Sequence, residues 1–320
     1  MLPYLYLIGR GIGNYFTNKP FCVSLEVTFN CNARCKHCNR GGPVVEHRAS
    51  PKRYGEICRV IKPLVAQLSG GEPLLRSDLE EIIKEIRIPN RPPVIVVITN
   101  GSLLSKGRFL RLRKAGADAF SVSLDYPDER HDEFRGVPGL FKHIENLIRG
   151  LPHEDRRLIT LCCVIQRQNF RELVRVAELA RDWDVSVNFS VYTSLRTHDQ
   201  SLMIPPEELK ELRACLAELA AFNRKYHNVL TSDYLFERIP LFFKRGFMPG
   251  CRTGSRFFNV NPDGTLSPCG LIVKNYCTPR ELRETFAKKN TCMHCYTSIR
   301  SNTEKPIKYL VRDSLRLILR

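Results

Sequence analysis

Apolar positions along this chain fall into short runs separated by longer stretches of helical periodicity. The runs at 22–29, 66–69, 94–99, 120–124, 158–165 and 185–192 are mostly near-continuous, as expected of parallel strands covered on both faces. The stretches between predict helices over 77–86, 106–115, 140–149, 170–183 and 207–226. Ser77-Asp78 ahead of Glu80 and Glu81 marks a helix start, Pro205-Pro206 marks another, and Gly116 and Gly150 stand where helices favour a terminal glycine. Strand and helix alternate about six times. That rhythm predicts an α/β fold, a partial (β/α)6 TIM-like barrel with its chemistry at the C-terminal ends of the strands.

The rhythm stops near residue 230. A short run at 257–260, the turn Asn261-Pro262-Asp263-Gly264 and a second run at 265–268 predict a β-hairpin. The expected organisation is a lead at 1–20, a core barrel at 21–230, a smaller module at 231–304 and a basic amphipathic helix at 305–320. Leu2, Tyr4, Leu5, Leu7 and Ile8 make the lead apolar, and Leu310, Val311, Leu315, Ile318 and Leu319 alternate with Lys308, Arg312, Arg316 and Arg320 in the last helix. Such a helix either docks on its own domain or lies on a membrane surface as a peripheral contact. No apolar run is long enough to span a bilayer.

Composition changes the picture in two ways. A net charge of +17, from 50 Lys+Arg against 33 Asp+Glu, favours anionic partners or simply a solvated basic surface. Thirteen cysteines in 320 residues are many for a chain whose start, Met1 to Ile8, lacks the basic opening and cleavage site of a secretory signal. The expectation is a cytoplasmic protein whose clustered thiols hold metal or iron–sulfur rather than disulfides.

The clusters are specific. Cys31, Cys35 and Cys38 form C-x3-C-x2-C directly after the first strand; by chance such a spacing is expected about 0.02 times. Three thiolates on a short loop hold three irons of a cubane and leave the fourth open. Ser69-Gly70-Gly71-Glu72-Pro73 ends the second strand, Thr99-Asn100-Gly101 the third, and Ser121-Val122-Ser123-Leu124-Asp125 the fourth, followed by His131 to Gly136. Cys251, Gly264 and Cys269 make C-x12-G-x4-C, and Cys292-Met293-His294-Cys295 closes the set, with Cys277 between. Four such thiolates complete a cluster or suit tetrahedral zinc. Cys22, Cys58, Cys162, Cys163 and Cys215 sit in strand or helix patterns and are expected to be inert.

Over roughly residues 22–300 these motifs resemble the radical S-adenosylmethionine (SAM) superfamily. His37 stands where those enzymes usually carry an aromatic. The resemblance implies a [4Fe–4S] cluster on Cys31, Cys35 and Cys38, with SAM on its open iron. It implies SAM contacts from His37, Gly70, Gly71, Glu72, Asn100, Ser123 and Arg135, with Glu72 at the methionyl ammonium and Arg135 at the carboxylate. The C-terminal cysteines resemble the "twitch" module, a truncated SPASM domain. They imply a second [4Fe–4S] cluster on Cys251, Cys269, Cys292 and Cys295 in a small hairpin-plus-helix auxiliary domain. The implied activity is reductive SAM cleavage and hydrogen abstraction from an unactivated carbon, with a reductant such as flavodoxin or ferredoxin. For the substrate, the apolar lead and basic last helix favour a lipid or isoprenoid at a membrane surface, with a peptide or small molecule as the alternative. A non-catalytic cluster or zinc protein binding nucleic acid is disfavoured, because it has no use for the array of motifs at successive strand ends.

Overall fold

The computed structural model describes residues 2–89 and 91–318, with side chains described from Ile8 to Asp313. Fourteen helices and eight strands are found among them. In chain order they run α1 (Leu2–Thr17), β1 (Cys22–Thr28), α2 (Pro51–Ile61), β2 (Val65–Gly70), α3 (Leu79–Ile86), β3 (Val94–Thr99), α4 (Lys106–Ala115) and β4 (Ala119–Ser123). Then come α5 (Arg130–Arg135), α6 (Leu140–Arg149), α7 (His153–Arg156), β5 (Ile159–Ile165), α8 (Leu173–Asp182), β6 (Ser186–Val191) and α9 (Leu209–Tyr226). The C-terminal part holds α10 (Asp233–Phe236), α11 (Ile239–Arg245), β7 (Phe257–Val260), β8 (Leu266–Ser267), α12 (Pro279–Thr285), α13 (Ser298–Glu304) and α14 (Ile307–Ile318).

All eight strands lie in one open sheet of order β6-β5-β4-β3-β2-β1-β7-β8. Pairings are parallel from β6 through β1 to β7, and only β8 runs antiparallel, against β7. The hairpin is therefore not set apart from the barrel. Its first strand lengthens the barrel sheet beyond β1, in register from Cys22 opposite Phe257 to Leu25 opposite Val260.

The strands are not covered alike on their two faces. Along β2, β3, β4, β5 and β6 burial alternates residue by residue. Ala66, Leu68, Ile95, Val97, Phe120, Val122, Ile159 and Leu161 lie under the helices with essentially no exposure. The other face mixes Gln67, Ser69, Ser121, Ser123, Thr160, Cys162, Asn188 and Ser190 with Val65, Val94, Val96, Ile98, Ala119 and Val164, all half-buried. Opposite faces with a period of two make this second face the lining of a partly polar lumen, and the expectation of strands buried in apolar surroundings on both sides is corrected where the serines, Thr160 and Asn188 face it.

Local signals account for the helix ends. Ser50 caps α2 by accepting from Arg53 N, with Pro51 in the first turn, and Ser105 caps α4. Gly116 closes α4 at φ 120°, whereas Gly150 ends α6 with ordinary right-handed geometry. The 1–20 lead is largely helix α1, which lies against α14. The apolar and basic positions expected of these two helices before Ile8 and after Asp313 lie outside the described side chains. Among the described residues no helix is long and apolar enough to cross a membrane.

Candidate active site

The three-cysteine loop leaves the C-terminal end of β1 and is held from three sides. Cys31 forms an antiparallel bridge with Gly42. Glu46 folds back on the strand end, accepting from Thr28 Oγ1 at 2.5 Å, Phe29 N at 2.6 Å and Asn30 Nδ2 at 2.8 Å. From the far side, Arg34 N and Lys36 N donate to the carbonyls of Arg135 and Phe134, both at 3.0 Å.

Gly70 and Gly71 provide the third support. Gly71 N donates to Thr28 O and Glu72 N to Asn30 O, both at 2.8 Å. A Cβ on Gly70 would stand 2.1 Å from Thr28 O, and one on Gly71 would stand 2.0 Å from Asn30 O. The backbones approach so closely that only glycine fits. The Gly-Gly pair therefore seats the cysteine loop on the neighbouring strand.

Glu72 is fully buried. Its oxygens accept from Leu74 N at 3.1 Å, Thr99 Oγ1 at 2.8 Å and Asn100 N at 2.7 Å. Burial pushes its carboxyl up to about 7 against those hydrogen bonds. Here Glu72 ties the end of β2 to the end of β3, with its oxygens turned to protein donors. Asn100 Nδ2 reaches Asn32 Oδ1 in the cysteine loop at 2.9 Å, and Asn100 Oδ1 accepts from Ser102. Ser123 faces the lumen at the end of β4, opposite Cys162.

Arg135, at the end of α5, is buried. It pairs with fully buried Asp125 at 2.6 Å, and its Nη1 lies 3.6 Å from Cys35 Sγ. Burial disfavours the Asp125 carboxylate, yet Arg135 and the nearby histidines hold it below its usual range. His37 stacks on Phe134 with centroids 5.1 Å apart and planes 12° apart, and its Nδ1 has no partner among the described residues. Burial and Arg135 push His37 down to about 4, so it is a neutral ring.

Sequence reasoning missed Asp125, Glu46 and Arg196. Arg196 lies after β6, and its Nη1 comes within 3.7 Å of Cys38 Sγ, 158 residues away. Guanidiniums thus flank two of the three cysteines. The three thiols interact with one another; burial pushes Cys31 up to about 11 and raises Cys35. Three neighbouring thiols, two of them beside guanidiniums, suit a negatively charged cluster on three thiolates, so the donor set fits that cofactor.

The C-terminal cysteines also assemble. Cys251 and Cys292 share a hydrogen bond that holds the Cys292 thiol down. Cys295 senses Cys269 and Cys292, and burial pushes it up to about 12. Cys277 is exposed. Among the described residues no three His, Cys, Asp or Glu side chains converge tightly enough for a single metal ion; a cubane accepts a wider spread of thiolates. Buried Arg300, unremarkable in the sequence, braces this loop by donating to the carbonyls of Cys295, Met248 and Pro249 and by pairing with Glu304 at 2.9 Å.

The sequence model described as the Radical SAM superfamily matches residues 25–180. Over 278 residues the chain is 28% identical to the AdoMet-dependent heme synthase of Methanosarcina barkeri, covering 80% of this chain and 78% of that one. Over 268 residues it is 28% identical to the PqqA peptide cyclase of Granulibacter bethesdensis, covering 78% and 67%. Among solved structures, Streptococcus suis SuiB bound to S-adenosylmethionine superposes with a TM-score of 0.65 at 15% identity, over 85% of this chain and 67% of that one. At that identity the likeness concerns the fold. The chain spans 63% of SuiB as solved with its precursor peptide SuiA.

Proposed function

We propose that this chain, which belongs to the radical SAM superfamily, abstracts hydrogen from an organic substrate held in the barrel lumen. The cluster and SAM together supply, once reduced, a 5′-deoxyadenosyl radical able to attack an unactivated C–H bond. Cys31, Cys35 and Cys38 would hold the cluster. The protein's further work is positioning and exclusion of water. Gly70, Gly71 and Glu46 fix the loop that carries the ligands. Arg135, anchored by Asp125 and next to Cys35, supplies positive charge beside SAM, and Ser123 and Asn100 offer hydrogen bonds at the neighbouring strand ends. Flavodoxin or ferredoxin is the proposed electron donor.

The C-terminal module is read as a twitch domain, in which Cys251, Cys269, Cys292 and Cys295 would hold a second cluster that would supply a redox centre. The relatives are named for different substrates, so the lumen itself must speak for the substrate. Its half-buried face mixes serine, threonine, asparagine and glutamine with the aliphatic Val65, Val94, Val96, Ile98 and Val164. That lining suits a peptide or a small molecule with both polar and apolar parts. The lipid option rested on the composition of the two chain ends, and α1 and α14 lie against each other.

The observation that carries the reading is the cysteine loop seated on Gly70 and Gly71 at the mouth of the barrel. The test is anaerobic reconstitution with iron and sulfide, followed by dithionite and SAM. Wild type is expected to release 5′-deoxyadenosine and Cys35→Ala none; release by Cys35→Ala would refute the assignment.

A further inference from the structure

We propose that Arg40 and Arg196 form a carboxylate-binding site at the mouth of the lumen, and that the substrate carries a single carboxylate there. This deepens the radical-enzyme reading and rests on it.

The two guanidiniums lie between the two cysteine groups. Arg196 Nη1 is 3.7 Å from Cys38 Sγ. Arg40 Nη2 is 3.2 Å from Glu26 Oε2, and its guanidinium sits 3.8 Å over the Phe29 ring. Glu26 is buried on β1, and its other oxygen accepts from Asn259 Nδ2 at 2.7 Å. Gly270, next to Cys269, closes the far side. A Cβ there would stand 2.6 Å from Glu26 Oε1 and 3.0 Å from Arg196 Nη2. The position thus joins the loop of Cys38 to that of Cys269, between the residues that would hold the two clusters.

Charge is left over at this place. Glu26 is the carboxylate paired with Arg40, while Arg196 forms no ion pair among the described residues. Arg40 Nε is buried with no acceptor among the described residues. Two neighbouring cations sharing one anion in a half-buried site cost free energy unless a further anion joins them. One extra positive charge calls for a monoanion, and a planar carboxylate matches the guanidinium fork. A phosphate dianion would overshoot the charge. The competing account is that Arg196 only offsets the negative charge of the cluster on Cys38.

The test uses the full chain, anaerobically reconstituted and loaded with SAM, and treated with phenylglyoxal. Modification of each arginine is followed by peptide mass mapping. The probes are hippurate, its neutral amide and inorganic phosphate at equal concentration. Hippurate is expected to slow modification of Arg40 and Arg196 about fivefold relative to the amide, a difference of about 1 kcal/mol. Phosphate is expected to protect less. Glu26→Gln, which removes the internal competitor, is expected to strengthen protection by hippurate. Equal rates with hippurate and amide would overturn the site. Phosphate protecting as well as hippurate would overturn the carboxylate class. Protection produced by cluster reconstitution alone, with nothing added by hippurate, would assign Arg196 to the cluster. The same sample assayed for 5′-deoxyadenosine tests the parent reading separately.

Discussion

At the scale of single residues, the site divides into groups announced by local spacing and groups supplied by distant parts of the chain. Cys31, Cys35, Cys38, Gly70 and Gly71 are legible because their spacing is itself the signal. Asp125, Glu46 and Arg196 are ordinary charged residues until the fold brings Arg196 to Cys38 and Glu46 to Phe29. Gly71 gives the sharpest residue prediction. With Asn30 O 2.0 Å from the position of a Cβ, Gly71→Ala must push the cysteine loop off β2. We expect a folded chain whose 5′-deoxyadenosine production falls about 100-fold, since displacements near 1 Å carry losses of that order; retained activity with full iron content would contradict the seating role. His131 gives a pH prediction. It is fully buried, Asp125 N donates to its Nδ1 at 3.2 Å, and its Nε2 has no partner. Burial and Arg135 push it down from 6.5 to about 3. The unfolded chain therefore binds this proton more readily than the folded one, and its stabilising contribution fades as pH falls below 6.5. Between pH 7.5 and 5.5 wild type should lose about 1 kcal/mol more stability than His131→Gln, read from denaturant midpoints; parallel pH profiles would refute it.

At the scale of elements, strand and helix order was legible, and β3 and α4 match the sequence expectation to the residue. Helix α2 was not among the predicted helices although Ser50-Pro51 is a sound start signal, because its buried stripe is Tyr54, Gly55, Ile57 and Cys58, with one long aliphatic residue to mark the helical period. The mixed character of the lumen face was also obscured. Short strands with Val, Ile and Phe on one face look continuously apolar when cysteine, alanine, serine and, on β3, Val94, Val96 and Ile98 occupy the other. The segment after the cysteines is a working part of the site. Glu46 gathers Thr28, Phe29 and Asn30, and losing it takes the acceptor from Thr28 Oγ1 and Phe29 N at the end of β1, while Asn30 Nδ2 keeps Val44 O. Glu46→Ala should therefore cost about 2 kcal/mol of stability and speed tryptic cleavage at Arg40 and Arg48. An unchanged cleavage rate would mean that the segment is held by other contacts.

At the scale of the whole molecule, the C-terminal part is bound into the barrel rather than appended to it. Strand β7 pairs with β1, Tyr54 Oη donates to Pro262 O at 3.0 Å inside the core, and Ala49 N donates to the same carbonyl at 2.6 Å. Arg256 reaches from this part to Tyr15 O and to Thr303 O. The sequence showed a change of rhythm near residue 230 and so suggested separate modules. The long-range pairing of β1 with β7 leaves no periodic trace in either strand, because register between distant segments is fixed by the folded sheet. A chain ending at Arg245 would expose the edge of β1 from Cys22 to Leu25, a row of unpaired peptide groups that invites aggregation. The second cluster is accordingly best tested by a point change that keeps β7. Wild type should bind about eight irons per chain and Cys269→Ala about four. Cys269→Ala should still release 5′-deoxyadenosine, because the loop of Cys31, Cys35 and Cys38 is seated by Gly70, Gly71 and Glu46 and draws no hydrogen bond from Cys269. Four irons in wild type would leave the C-terminal cysteines without a cluster. Loss of SAM cleavage in Cys269→Ala with four irons retained would place an electron path from the C-terminal cysteines to the first site.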